Sequence, residues 1–200
     1  MNLAHCQRCE KQVAIHELIH YTVESGNLEL CTQCFNADVA DRCGIDNFGN
    51  HPIDPVSIID GTGVSHSFHF QARLMGADRL VLDAFELENT TPAGHRFQMI
   101  AEPGEDRFTQ LGRLVQKIRR ALATRYLEVT AHGLQIKEME VRGHIEADMG
   151  DNVNLFGSRA PMLVIDGEEV SWEDFGRMLM TFEGFQFKLQ LADPSDDVSR

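Results

Sequence analysis

The residues with the clearest chemistry are four cysteines in two pairs, Cys6 with Cys9 and Cys31 with Cys34. Each pair has the C-x-x-C spacing, which lets two thiolates of one tight turn face the same metal ion. Two such turns supply four sulfur ligands, the set that a tetrahedral structural Zn²⁺ requires. The sequence therefore predicts one structural zinc ion per chain, bound by these four cysteines.

Four thiolates leave no coordination position for water or substrate, so the predicted zinc is structural rather than catalytic. An iron–sulfur cluster is the rival occupant of four cysteines, and zinc is favoured because the pairs fall at hairpin and helix positions. His5, His16 and His20 are expected to be surface or outer groups, since the cysteines already complete the shell. The fifth cysteine, Cys43, is expected to be a half-buried free thiol near a helix end.

The elements that must position the cysteines are a hairpin and a short helix. A segment rich in β-branched and aromatic residues (13–23), a turn at Gly26 and a short strand (28–30) predict the hairpin. A helix over 34–42 follows. The treble-clef arrangement consists of a first C-x-x-C turn (a knuckle), a hairpin, and a second knuckle at the start of a helix. We therefore predict a zinc module over residues 1–45, which needs the metal to fold because its own core is small.

Three short motifs of this module resemble a known family. His5-Cys6-x-x-Cys9, Ala14-Ile15-His16 and Leu30-Cys31-x-x-Cys34 look like the amino-terminal zinc region of the bacterial activator of protein-arginine kinase. The spacing from the first knuckle to the histidine is shorter here, and no second tandem zinc unit follows. The resemblance therefore implies the four metal ligands and not the kinase-activating role.

The remainder of the chain reads as an α+β domain. Pro52 and Pro55 indicate a linker over 46–55, and residues 56–192 form the predicted domain. Its first four strands are joined by short turns, which favours an antiparallel meander. The expected fold class is α+β: a small treble-clef-like zinc module followed by an antiparallel sheet domain with two main helices.

Two helices and a last strand are expected in this domain. A helix over 106–127 has an apolar face that recurs every three or four residues: Phe108, Leu111, Val115, Ile118, Leu122 and Tyr126. A second helix begins at an N-cap, Ser171, and ends at Gly184. The alternating segment 185–191 predicts a strand, and residues 193–200 predict a frayed polar tail.

The carboxy-terminal half also resembles a known group of sequences. The run from Val164 to Gly184 is similar to a segment of uncharacterised bacterial proteins, and the likeness spans most of residues 55–192. That family has no assigned activity. The resemblance therefore implies a domain and no mechanism.

Histidines and carboxylates of the larger domain are candidates for an active site. His66 and His69 point to opposite faces of a regular strand, which disfavours them as a joint metal pair. Other histidines can converge with either of them: His95, His132 and His144. Several carboxylates can form an acid/base pair: Glu86, Glu88, Glu102 and Glu146. The segment 148–159 is expected to be a loop that can act as a lid.

Charge and composition limit the function. The net charge is −13, and acidic residues outnumber basic ones on both sides of residue 50. This charge disfavours a nucleic-acid partner. The beginning of the sequence lacks the basic and apolar regions of a signal peptide, and no apolar run suggests a membrane span, so a cytoplasmic location is expected.

Two functions are therefore weighed, with nucleic-acid binding in third place. The first is a non-catalytic cytoplasmic adaptor or regulator whose partner is another protein. The second is an enzyme of unknown reaction with its active site in the α+β domain. A pocket where polar groups converge would favour the enzyme, and an exposed apolar patch would favour the adaptor. The oligomeric state stays open.

Overall fold

A computed structural model describes residues 3–23, 26–46, 48–89, 91–147 and 160–196. Within these ranges the chain combines antiparallel sheets with three α-helices, so the expected mixed fold class is confirmed. The segment 148–159, predicted to be a loop and a lid, lies outside the described residues. No helix in the described part of the chain is long and apolar enough to cross a membrane.

The amino-terminal module has the predicted order of knuckle, hairpin and helix. Strands β1 (Leu3–His5) and β2 (Gln12–Ala14) flank the first C-x-x-C. Strands β3 (Leu18–Val23) and β4 (Gly26–Cys31) form the hairpin, and α1 (Thr32–Cys43) follows directly. Helix α1 ends at Gly44, whose φ of 66° is left-handed and whose N–H reaches the carbonyls of Ala40 and Asp41.

The central sheet has four antiparallel strands in sequential order. They are β5 (Ile53–Ile59), β6 (Ser65–Leu74), β7 (Leu80–Glu88) and β8 (Thr91–Ala101). Strand β5 begins inside the predicted linker. Pro55 is tolerated there because β5 is an edge strand and its register with β6 shifts between Ile53 and Val56.

Helix α2 (Arg107–Leu122) packs against the central sheet. It is shorter than the predicted 106–127, and its buried face differs from the predicted one. The buried residues are Gln110, Leu114, Ile118 and Leu122, whereas Phe108 is 85% exposed. Gln110 takes the place of an apolar residue because its Nε2 donates to the carbonyl of Glu102 over 2.7 Å.

The carboxy-terminal region has its own small core. Strands β9 (Leu127–Thr130) and β10 (Gly133–Ile136) form a hairpin, and β11 (His144–Ala147), β12 (Pro161–Ile165) and β13 (Glu168–Ser171) form a three-stranded sheet. Helix α3 (Trp172–Leu179) begins at the predicted N-cap, Ser171, whose side chain accepts from the N–H of Asp174. The core of this region is formed by Leu127, Ile136, Ile165, Val170 and Met178.

The predicted last strand is wrong. Residues 185–191 form no strand, and four large apolar side chains are exposed along them: Phe185, Phe187, Leu189 and Leu191. Alternation produces a strand only where an edge offers a partner, and none of the described strands pairs with this segment. The tail beyond it is not frayed over residues 194–196, because Lys117 Nζ donates to the carbonyls of Pro194, Ser195 and Asp196.

The amino-terminal module and the central sheet share one hydrophobic core. Phe35, Val39 and Ala40 of α1 belong to the same buried cluster as residues of all four sheet strands and of α2. Asn36 lies at this contact and is 2% exposed. The boundaries at residues 45 and 56 stay predictions, but they do not separate two cores.

Candidate functional site

The four predicted cysteines form a cluster that can hold a metal ion. Their sulfur atoms all lie within 4.8 Å of one another, and Cys9 Sγ lies 3.9 Å from Cys31 Sγ. A disulfide needs about 2.05 Å. Four Zn–S bonds of about 2.3 Å at tetrahedral angles place neighbouring sulfurs about 3.8 Å apart. The observed separation therefore matches metal coordination rather than a disulfide.

The two residues inside the first C-x-x-C fasten it to the rest of the module. Gln7 donates its N–H to the carbonyl of Glu29 over 2.9 Å and accepts the N–H of Glu29 on Oε1 over 3.0 Å. Arg8 Nη1 donates to the carbonyl of Cys34 over 3.2 Å and lies 3.5 Å from Asp38 Oδ1. The first knuckle is thus bound to β4 by Gln7 and to α1 by Arg8.

Three cysteines of the metal-free cluster have shifted pKa values. Burial raises the pKa of Cys6, but backbone N–H groups of Cys31, Cys9 and Arg8 lower it more, so that its pKa is about 6. Burial raises the pKa of Cys31 and of Cys34, and the neighbouring sulfurs raise that of Cys34 further. Cysteine binds a metal as the thiolate, so metal binding must release the protons that Cys31 and Cys34 hold.

The other residues named near the module lie outside the cluster. His5 contacts Gln12, His20 pairs with Glu29 over 3.3 Å, and His16 packs edge-on against Phe85. Cys43 is exposed rather than half-buried, and it lies on the last turn of α1.

A second cluster joins three neighbouring strands of the central sheet. His66 is on β6, Glu86 on β7 and His95 on β8. The Nδ1 atom of each histidine lies 2.8 Å from a different oxygen of Glu86, and the His95 N–H donates to the same carboxylate over 2.8 Å. These three side chains form the second group in the described chain that can hold a metal ion.

A β-bulge brings His95 to Glu86. Phe85 pairs with Arg96, but Glu86 pairs with Ala93, so Gly94 and His95 are extra residues on β8. Gly94 has a left-handed φ of 65°, and a Cβ there would lie 2.8 Å from Glu86 Oε2. The bulge therefore requires glycine at this position and turns the backbone N–H and the Nδ1 atom of His95 toward one carboxylate.

A cavity of about 230 Å³ lies in front of these histidines. It opens between the turn at Asp60, the end of α2 and the β12–β13 turn, and its lining residues include Asp60, His66, His95, Arg125, Asp166 and Glu168. Gly167 packs directly on the His95 ring, because a Cβ there would lie 2.7 Å from its Nδ1. The cavity thus lies where the central sheet meets the carboxy-terminal region.

Two carboxylates at this pocket are held ionised. Burial raises the pKa of Glu86, but the bonds from His95 and His66 lower it to about 2. Burial likewise raises the pKa of Asp60, and the Thr62 hydroxyl with the N–H groups of Val64 and Thr62 brings it below its usual range. The motif Asp60-Gly61-Thr62-Gly63 is therefore a turn in which Asp60 accepts hydrogen bonds, as the sequence indicates.

Most of the other candidate histidines and carboxylates do not converge. His69 packs on Phe85 with the rings stacked, away from His66, as the strand alternation predicts. His144 forms a separate pair with Glu146 over 3.1 Å. The remaining candidates, His132, Glu88 and Glu102, do not line the cavity. Only the adjacent Gly94-His95 in a strand sequence hinted at the bulge that completes the cluster.

Three protein families match the chain, and each is described as a domain of unknown function. DUF7685 matches residues 5–46, DUF7686 matches residues 50–123 and DUF7713 matches residues 126–196. No curated protein and no solved structure shows a significant match to the chain. The family matches meet at residues 123–126, close to the boundary between the two hydrophobic cores.

Proposed function

We propose that this protein is a zinc-stabilised adaptor or regulator that acts by binding another protein. In this proposal the four-cysteine cluster holds one Zn²⁺ with a structural role. The closed set of four sulfurs supports this role, because it leaves no position for substrate. The resemblance of the module to the activator of protein-arginine kinase extends to these ligands alone.

The observation that carries the interaction proposal is the exposed apolar segment at residues 185–191. Phe185 is 64% exposed, Phe187 92%, Leu189 75% and Leu191 72%. Soluble chains rarely leave such a contiguous apolar row uncovered. The segment is held at both ends, since Phe185 packs on Phe182 and Lys117 binds the carbonyls beyond it. It is therefore presented to solvent at a fixed place on the molecule.

The form of this segment indicates how a partner would bind it. Residues 185–191 have no strand partner, and their apolar side chains alternate. An extended chain of this kind can add a strand to the edge of a partner's sheet, with pockets for alternate side chains. The proposed partner is a protein with an open sheet edge and an apolar surface beside it.

A double substitution, Phe187→Ser with Leu189→Ser, tests the interaction proposal. Both side chains are exposed, so the melting temperature should change by less than about 2 °C. Partner binding in cell extract, measured by quantitative cross-linking, should fall at least about tenfold, as expected for loss of apolar anchors.

Phe108→Ser is the matched control, because Phe108 is another exposed phenylalanine and lies on α2. It should leave binding unchanged. Sedimentation of the purified chain distinguishes a second copy from a foreign protein as the occupant. Equal cross-linking by the double variant and the parent chain would refute the proposal.

A second candidate function is an enzyme that uses the pocket at His66, Glu86 and His95. The observation that favours it is the convergence of two imidazoles on one ionised carboxylate beside a cavity. In this candidate function Glu86 accepts from Nδ1 of His95 and leaves Nε2 of that ring as a base, which is how oriented histidines act in proton transfer. Any activity found in a substrate screen should be lost in His95→Gln and retained in His69→Gln.

A further inference from the structure

His66 has a carboxylate at each nitrogen of its ring. Nδ1 lies 2.8 Å from Glu86 Oε1, and Nε2 lies 3.5 Å from Asp60 Oδ2. Nε2 is buried and makes no hydrogen bond within the described part of the chain. A neutral ring in either tautomer would point a lone pair at a carboxylate, which is unfavourable away from water. A cation bound at Nδ1 would take up the lone pair of that nitrogen and leave the Nε2–H to face Asp60.

A cation bound by His66 would give both neighbouring carboxylates a role. A histidine that ligates a metal through one nitrogen usually gives its other N–H to a carboxylate. Asp60 is placed to accept that proton from Nε2, and its own carboxylate is fixed by the Thr62 hydroxyl and the Val64 N–H. Glu86 reaches both imidazoles with its two carboxylate oxygens, so it is placed to be the third ligand.

The distances fit a divalent ion. The ligand atoms of His66, Glu86 and His95 lie within 4.8 Å of one another, and both nitrogen–oxygen contacts are 2.8 Å. Metal–ligand bonds of about 2.0–2.1 Å place adjacent octahedral ligands about 2.9 Å apart. Small shifts of the side chains would therefore admit the ion. The cavity of about 230 Å³ has room for waters that complete its coordination.

The charge of the pocket favours a cation. The carboxylates of Asp60, Asp166 and Glu168 line the cavity, and Glu86 lies behind the two histidines that line it. Among its described lining residues, Arg125 is the one arginine or lysine, and its Nε lies 4.0 Å from Asp166 Oδ2. The local excess of negative charge raises the concentration of cations at the mouth of the cavity.

We infer that His66, Glu86 and His95 bind a second divalent ion, a first-row transition metal, with Asp60 as the positioning residue for His66. Two imidazoles and a carboxylate suit such metals and disfavour Ca²⁺ and Mg²⁺, which prefer oxygen ligands. Unlike the four-cysteine site, this site keeps open positions toward the cavity. The inference goes beyond the proposed interaction function and does not depend on catalysis in the pocket.

Cobalt titration of the full-length, zinc-loaded chain tests this site. The chain should take up one further Co²⁺, seen by calorimetry and by a visible spectrum without thiolate-to-metal charge transfer. Uptake should be lost in His66→Ala and in His95→Gln, while one zinc stays bound at the cysteines. Asp60→Asn should weaken Co²⁺ binding by about 10- to 100-fold without abolishing it.

His69→Gln is the matched control, because His69 lies on the same strand and faces away from Glu86. It should bind Co²⁺ like the parent chain. If His66→Ala loses its circular dichroism signal, Glu86→Gln replaces it. Absence of Co²⁺ uptake at millimolar metal would overturn the inference. Co²⁺ uptake that persists in His95→Gln and in His66→Ala (or in Glu86→Gln, if that variant replaces it) would also overturn the inference.

Discussion

Cys31→Ser should remove the bound zinc and unfold the amino-terminal module. The zinc content, measured by elemental analysis, should fall from one ion per chain to almost none when no other cation is added. Structural zinc contributes about 10–16 kcal/mol of apparent binding free energy in small zinc modules at neutral pH. The hairpin β3–β4 has little core of its own, so amide protection over residues 18–23 and 26–31 should be lost.

The effect should extend to the contact with the central sheet. The N–H of Leu74 on β6 donates to Asn36 Oδ1 of α1 over 2.9 Å, so its exchange should accelerate together with that of the module. Protection deeper in the sheet, for example at Leu82 on β7, should persist.

Cys43→Ser is the matched control for this experiment, since Cys43 is exposed and lies outside the cluster. It should retain the zinc and the full exchange protection of the parent chain. A Cys31→Ser chain with a protected hairpin would show that the hairpin stands without metal. If the purified parent chain contains iron and absorbs visible light, the four cysteines bind an iron–sulfur cluster and not zinc.

Asn36→Ala should cause the second large effect, on stability. The Asn36 side chain donates to the carbonyl of Ala72 over 2.8 Å and accepts the N–H of Leu74 over 2.9 Å. The substitution leaves both backbone groups of β6 without these partners in a buried contact. We expect a loss of about 3 kcal/mol in the free energy of unfolding, which corresponds to a melting temperature lower by roughly 6–12 °C.

Asp41→Ala provides the control on the same helix, because Asp41 is exposed. It should change the free energy of unfolding by about 0.5 kcal/mol or less. Thermal unfolding and urea titration measure both variants. An Asn36→Ala chain as stable as the Asp41→Ala chain would show that water satisfies the β6 backbone and that Asn36 does not hold the module to the sheet.

The structure revises how the amino-terminal module and the larger domain depend on each other. The sequence predicts a zinc module, a linker and a separate domain. Arg107 of α2 contacts two residues of the predicted linker. It donates to the carbonyl of Gly49 over 3.1 Å, and its guanidinium group stacks over the ring of Phe48. Gln71 of β6 donates to Thr32 Oγ1 over 2.6 Å. These contacts hold the module, the linker and the sheet together, so loss of metal should be felt beyond residue 45.

The sequence by itself determined the features that depend on local spacing. Two C-x-x-C turns, a β-branched hairpin and the glycine after Arg42 and Cys43 were sufficient for the cysteine cluster and its treble-clef order, because ligands three residues apart share a turn. Alternation and short turns were sufficient for the antiparallel meander. Ser171 and the acidic residues after it marked the start of α3, since a cap acts within one helical turn.

Only the tertiary structure decided the features that depend on distant partners. The sequence places Gly94 in a turn before a strand that begins at His95, whereas both residues lie in a bulge of β8, whose pairing with β7 turns His95 onto Glu86. The apolar residues from Phe185 to Leu191 have the alternation of a strand, but a strand needs a partner, and none of the described strands pairs with them. Asn36 is a polar residue of a short helix, and its packing against β6 is what buries it. In each case the deciding contact lies many residues away along the chain, where periodicity carries no information.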